Sequence, residues 1–145
     1  MRKTPTVLTA AALLATVAAT ATGCSSIEDM LHNEQAATYD TIADFRDEAV
    51  ISATWLPEDA HDIALRRSTK ASDAAIALSS TQPLDAAICA PVARQSAPAY
   101  NVDDSVDVYK ITDAFACGDW TVVRTDGGWL GWTPSHPDEK AQSPS

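Results

Sequence analysis

Apolar positions recur along this chain with two different periods. Leu31, Thr38, Ile42, Phe45 and Ala49 follow one another at spacings of seven, four, three and four, the stripe of an amphipathic helix. Ser26 offers a cap with Asp29 three residues on, while Glu28, Glu34, Asp40, Asp44 and Asp47 lie mostly off the stripe. Pro57 ends any continuation, because the residue before a proline is driven out of the helical region. Beyond Glu58 the period shortens. Ile63 and Leu65 alternate with polar neighbours, so His61–Lys70 predicts a strand; Ser72 and Asp73 signal a turn, and the apolar run Ala74–Ser80 predicts the partner strand. Pro83, Leu84 and Asp85 predict the start of a small helix with Leu84, Ile88 and Cys89 inward. Val106–Ile111 alternates and predicts a strand. Cys117-Gly118-Asp119 predicts a turn, Trp120–Thr125 a strand, Asp126-Gly127-Gly128 a hairpin loop and Trp129–Thr133 the returning strand. The polar residues 135–145 predict a disordered tail. The expected fold class is therefore α+β: residues 27–134 form a single domain, a small antiparallel sheet of four to five strands covered by one amphipathic helix.

The first 23 residues predict something other than structure. Arg2 and Lys3 precede a mostly apolar run from Val7 to Ala19, about 13 residues where a bilayer-spanning helix needs roughly 20. A basic start, a short apolar stretch and small residues before a cut site make a secretory signal peptide. Ala21-Thr22-Gly23-Cys24 resembles the lipobox of bacterial lipoproteins, with Ala21 where that pattern usually has Leu. The competing reading is an ordinary secretion signal that leaves Cys24 as a free thiol. The lipobox resemblance implies that residues 1–23 are removed, that Cys24 carries a diacylglycerol, and that residues 24–26 are a lipid-anchored linker. Two acyl chains, at about 0.8 kcal/mol per buried methylene, anchor stably where one does not. The implied location is the extracytoplasmic face of the cell membrane, and the implied membrane contact is the lipid.

Charge and cysteine content sharpen this picture. The chain has 20 Asp and Glu against 10 Lys and Arg, a formal charge of -10. Losing Arg2 and Lys3 with the signal leaves about -12 on the remainder. Such a balance excludes nucleic acid as a partner, because neutralising phosphates takes clustered cations. With Cys24 lipidated, Cys89 and Cys117 remain, and two thiols in an exported protein are expected to pair as a disulfide. A metal site would require further Cys or His at close spacing, and the sequence supplies none near them.

The candidate chemistry is aromatic. Trp120, Trp129 and Trp132 fall within 13 positions, and Gly131 shares a strand face with Trp129. An exposed indole beside a residue without a side chain could stack on a sugar ring or a peptide, so these three are candidate ligand-stacking residues. The competing reading packs all three in a small core. The stretch Gly118-Asp119-Trp120 through Val122, the glycine pair and Trp129 to Trp132 resembles the closing strands of bacterial SH3-like modules, which often bind cell-wall peptides. That likeness covers about 15 residues, and the earlier strands of such modules, with their Asn-Val-Arg motif, are not recognisable. Asn101, Asp103, Asp104 and Asp107 have the oxygen ligands for Ca²⁺ but lack the glycine and distal glutamate of an EF-hand loop, so they read as a solvated turn. Asp59, His61 and Asp62 form a polar knot with no metal spacing, and the Ser135, His136, Asp138 run is rejected as a triad because it lies in the expected tail. No G-x-S-x-G, H-E-x-x-H, phosphate loop or C-x-x-C occurs, so no catalytic residue, metal or cofactor is assigned.

Trp55-Leu56-Pro57 with Ala60, Cys89 followed by Pro91, and Cys117-Gly118-Asp119-Trp120 leading to Gly131-Trp132-Thr133-Pro134 resemble the small, mostly uncharacterised envelope lipoproteins of actinobacteria. The resemblance names no activity and implies a secreted, lipid-anchored, single-domain protein with Cys89 paired to Cys117. Two function classes follow: a non-catalytic module binding a cell-wall component or envelope protein, which is favoured, and a small envelope hydrolase or regulator with an unrecognised site.

Overall fold

The computed structural model describes residues 33–145. Strand β1 (Glu34–Thr41) passes directly into helix α1 (Ile42–Glu48), and an irregular segment leads to β2 (His61–Ser68) and β3 (Ala74–Ser79). A second irregular segment reaches β4 (Ala90–Ala93). A third, containing a 3-10 turn at Val108–Lys110, reaches β5 (Asp113–Cys117), β6 (Trp120–Arg124), β7 (Gly128–Thr133) and a short helix α2 (Pro137–Lys140). All seven strands join in one antiparallel sheet of order β1-β2-β3-β7-β6-β5-β4.

This corrects the expected α+β class. The molecule is mostly β, with seven strands rather than four or five, and a seven-residue helix does not cover a sheet face. The long helix dissolves for a local reason. Ala37 and Tyr39 face the core from alternate positions of a strand paired with β2, and only Ile42, Phe45 and Ala49 belong to the helical stripe. Thr41 starts the helix: its hydroxyl accepts from Asp44 N at 3.2 Å while Asp44 Oδ2 accepts from Thr41 N at 3.1 Å, a capping box. The part of the expected helix before Asn33 lies outside the described residues.

The other strand readings divide. His61–Lys70, Ala74–Ser80, Trp120–Thr125 and Trp129–Thr133 each contain a strand. Val106–Ile111 does not: Asp107 caps a 3-10 turn that drops Val108 into the core. The helix expected from Pro83 is a single turn in which Asp85 O accepts from Ile88 N and Cys89 N at 3.0 and 2.8 Å. Nor is the segment after Pro134 a disordered tail, since it holds α2 and a fully buried Glu139.

Apolar side chains lie on both faces of the sheet. The first face carries Tyr39, Ile63, Leu65, Ile76, Leu78, Val122 and Trp129, covered by Phe45 of α1 and by Trp55, Leu56 and Ala60 of the segment after it. The second carries Ala75, Ala114, Ala116, Val123, Leu130 and Trp132, covered by Val102, Val106 and Val108. Strands β3, β6 and β7 are accordingly buried on both sides, which is why their sequences run apolar without clean alternation. Gly128 permits the close packing of β7 on β3: a Cβ there would lie 2.0 Å from Leu78 O. The Cys89–Cys117 disulfide ties the segment before β4 to the end of β5.

Candidate functional site

The tryptophan hairpin is core. Trp120, Trp129 and Trp132 retain 7%, 4% and 1% of their exposure. Trp129 Nε1 donates to Gln82 O at 3.1 Å, its ring meets Phe115 edge-on at 5.7 Å, and the Arg124 guanidinium lies 4.6 Å from its centroid. Trp132 turns to the second face, where Nε1 donates to Ser96 Oγ at 2.8 Å. The glycine shelf is also filled. A Cβ on Gly131 would lie 2.4 Å from Trp55 Cζ2, so the ring resting on that glycine is the chain's own. Trp55 in turn packs 5.9 Å from Trp120. With every indole spent internally, Trp120, Trp129 and Trp132 offer no stacking platform, and that expectation is withdrawn.

What Trp55 builds instead is a wall. A groove of about 490 Å³ opens on the first face between the segments Thr54–Glu58 and Gln82–Ile88. Trp55, Leu56, Pro57, Leu84 and Ile88 supply its apolar surface, with the exposed carboxylates of Glu58 and Asp85 beside them. Both walls are irregular backbone, and both are pinned. Asp59 accepts from Ser80 Oγ and from Thr81 N and Oγ1, each of the latter at 2.9 Å, which joins the end of one wall to the start of the other. Gln82 is held by Trp129, and Asp85 Oδ1 accepts from Ala87 N at 2.8 Å. Cys89, one residue past Ile88, is fixed by the disulfide. Arg46 of α1 grips Glu58 with two hydrogen bonds of 2.9 and 2.6 Å.

These contacts set the electrostatics of the site. The hydrogen bonds and charge of Arg46 hold the Glu58 carboxyl below its ordinary range, and the Ser80 hydroxyl, then Thr81, does the same for Asp59. Arg46 balances the Glu58 charge and Asp59 lies outside the lining, so the groove is an apolar trough with the exposed carboxylate of Asp85 at its side. Trp55 Nε1 is buried with no acceptor among the described residues. Such a trough suits a ligand with an apolar body and a positive group.

The remaining sequence candidates are dispersed. Asn101 and Asp103 form local turns, Asn101 Oδ1 accepting from Asp103 N and Asp103 Oδ1 from Ser105 N. His61 Nε2 lies 3.8 Å from Asp62, while Asp59 is engaged by Ser80 and Thr81. His136 caps α2, its Nδ1 accepting from Asp138 N at 3.2 Å. Cys24 and the signal segment lie outside the described residues. Among the described residues no helix is long and apolar enough to cross a membrane.

Sequence reading missed the groove. The pattern from Pro83 predicts a helix that takes in Leu84, Asp85 and Ile88, and Trp55-Leu56-Pro57 carries a resemblance but no predicted site. The usable signal is two prolines and four large apolar residues, Trp55, Leu56, Leu84 and Ile88, in the two irregular segments that precede β2 and β4. Comparison with protein-family models, curated proteins and solved structures finds no match to this chain. Fold and site define its class directly: an open, disulfide-linked antiparallel sheet with a preformed apolar groove on one face.

Proposed function

We propose that this is a lipid-anchored protein of the extracytoplasmic face of the cell membrane, a non-catalytic module that binds an envelope ligand in the groove between Thr54–Glu58 and Gln82–Ile88. The lipobox-like Ala21-Thr22-Gly23-Cys24 supports the anchor, and the Cys89–Cys117 bridge is consistent with an oxidising compartment. The observation that carries the binding role is the pinning of both groove walls by Asp59, Gln82 and Cys89. A site already ordered before its ligand arrives loses little entropy on binding. The ligand class that fits is a cell-wall or envelope component with an apolar portion next to a positive charge.

Titration with octylammonium, read by tryptophan fluorescence, tests the site because Trp55 is part of the wall. Saturable change is expected, weakened about tenfold by Leu84→Ala, a loss of about 1.4 kcal/mol. The same response from octanol, which lacks the charge, would remove the role given to Asp85. Labelled palmitate is expected to enter the native chain and not Cys24→Ala; equal labelling of both would end the anchor assignment.

A further inference from the structure

The two edges of the sheet are unlike. Strand β4 is four residues long and contains Pro91, features that blunt an edge against further pairing. Strand β1 is eight residues long, holds no Lys, Arg or Pro, and pairs with β2 without a register shift. Among the described residues nothing pairs with its outer side.

The direction of its backbone groups follows from two hydrogen bonds. Thr69 N donates to Asn33 O at 2.8 Å, whereas Ser68 N turns the other way and donates to Asp73 O at 2.8 Å. Because these directions alternate along antiparallel strands, Gln35, Ala37 and Tyr39 point their N–H and C=O toward β2. Glu34, Ala36, Thr38 and Asp40 therefore present theirs outward. Those four side chains also share the second face of the sheet. There Ala36 and Thr38 border a cavity of about 300 Å³ together with Ala64, Arg66 and Val102. The edge thus offers an unused hydrogen-bonding row, a hollow beside its middle, and one carboxylate near each end.

We propose that the outer edge of β1 is a strand-addition site for an extended segment of a partner protein, β-branched and uncharged in the middle, with Lys or Arg six residues apart. An antiparallel segment in this register sets its two cations opposite Asp40 and Glu34 and two β-branched side chains opposite Thr38 and Ala36, over the cavity. Main-chain hydrogen bonds supply affinity and the alternate side chains supply selectivity. A second copy of the chain fits less well: it brings the same acids to the edge and another net charge of -10. This site is on the opposite face from the groove, and neither depends on the other.

The test uses the full chain in detergent and the fluorescein-labelled peptide Lys-Thr-Val-Thr-Val-Thr-Lys, followed by anisotropy. Saturable binding is expected, at least tenfold weaker when Glu replaces both lysines. N-methylation of the two valines, whose amides face β1 in this register, is expected to abolish binding, while N-methylation of the central threonine spares it. In the protein, Thr38→Pro removes one outward N–H and is expected to weaken binding at least tenfold, with Thr38→Val as the silent control. The peptide variants keep the test decisive if the proline variant misfolds. Indifference to valine methylation, equal binding of the Glu peptide, or no saturation at millimolar peptide overturns the proposal. So does a concentration-dependent dimer that Thr38→Pro abolishes, since it would assign the edge to a second copy.

Discussion

Glu139 is the residue whose environment departs furthest from what its type leads one to expect. Its side chain is fully buried, yet both oxygens are satisfied. Oε1 accepts from Gln95 N and Ser96 N at 2.6 and 3.1 Å; Oε2 accepts from Ser96 Oγ, Thr121 Oγ1 and His136 N at 2.6, 2.8 and 2.8 Å. Burial alone would push the carboxyl upward, but these donors outweigh it and hold it below the ordinary value of 4.5. Because the folded form has the lower pKa, the stabilisation is fully present above about pH 4.5 and is lost as pH falls through the depressed folded value. Glu139→Gln keeps the shape but turns an NH₂ toward groups that are themselves donors. The expected cost is about 1–3 kcal/mol near pH 7. Denaturant unfolding of both proteins from pH 7 to 3 is expected to show that gap closing at the acid end. The depressed carboxyls of Asp59 and Glu58 are common to both proteins and cancel. A gap that stays constant across the range would mean that the carboxylate charge has no part in holding α2.

Among the elements, the Gln82–Cys89 segment and β5 depend most on a covalent tie. Cys89 and Cys117 are 28 residues apart, and closing a loop of that size contributes about 3–4 kcal/mol in the chain-entropy account. The double variant Cys89→Ala, Cys117→Ala is expected to lose that amount in a denaturant melt and to bind octylammonium less tightly, because Ile88 lines the groove. How far the elements could be read from sequence follows from the contrast each one carries. Strands β6 and β7 were legible because Trp120, Val122, Trp129 and Trp132 surround an Asp-Gly turn, and β2 because Ile63 and Leu65 alternate with polar residues. Strand β5 was not, since Ala114 and Ala116 are its buried second-face residues and alanine marks no period. Strand β4 hid behind Pro91, which an edge position tolerates. Strand β1 was absorbed into a helix because Thr38 happened to extend the stripe of Ile42 and Phe45, although Thr41 and Asp44 already spelled a cap. His136, Pro137 and Glu139 likewise spelled the start of α2 within a run too polar to look ordered. The groove was the least legible part, because its walls are irregular and come together only through tertiary ties.

At the scale of the whole molecule the charges are unevenly placed along the strand direction. The end where β1 begins holds Arg67, Lys70 and Lys140 together with Glu34, Asp73, Asp119 and Asp138, while the opposite end holds Arg46, Arg94 and Arg124 against a larger set of acids: Asp44, Asp47, Glu48, Glu58, Asp59, Asp113 and Asp126. On the lipid-anchor reading, nine residues lead from Cys24 to Asn33, and a chain of that length reaches at most about 30 Å. An eight-residue strand spans about 26 Å, so the tether alone would let either end of the sheet meet the bilayer. Charge decides between them. Near a surface rich in anionic lipid a carboxylate is disfavoured about as much as a cation is favoured, which turns the more acidic end outward. Fluorophores placed at Lys70→Cys and at Asp126→Cys in the anchored protein are expected to respond differently to nitroxide lipids, the first quenched several-fold more strongly. The difference should shrink in high salt, which screens the exposed charges, and in vesicles of zwitterionic lipid. Equal quenching at both positions in anionic vesicles would mean that the sheet lies along the membrane, with one face against it rather than one end.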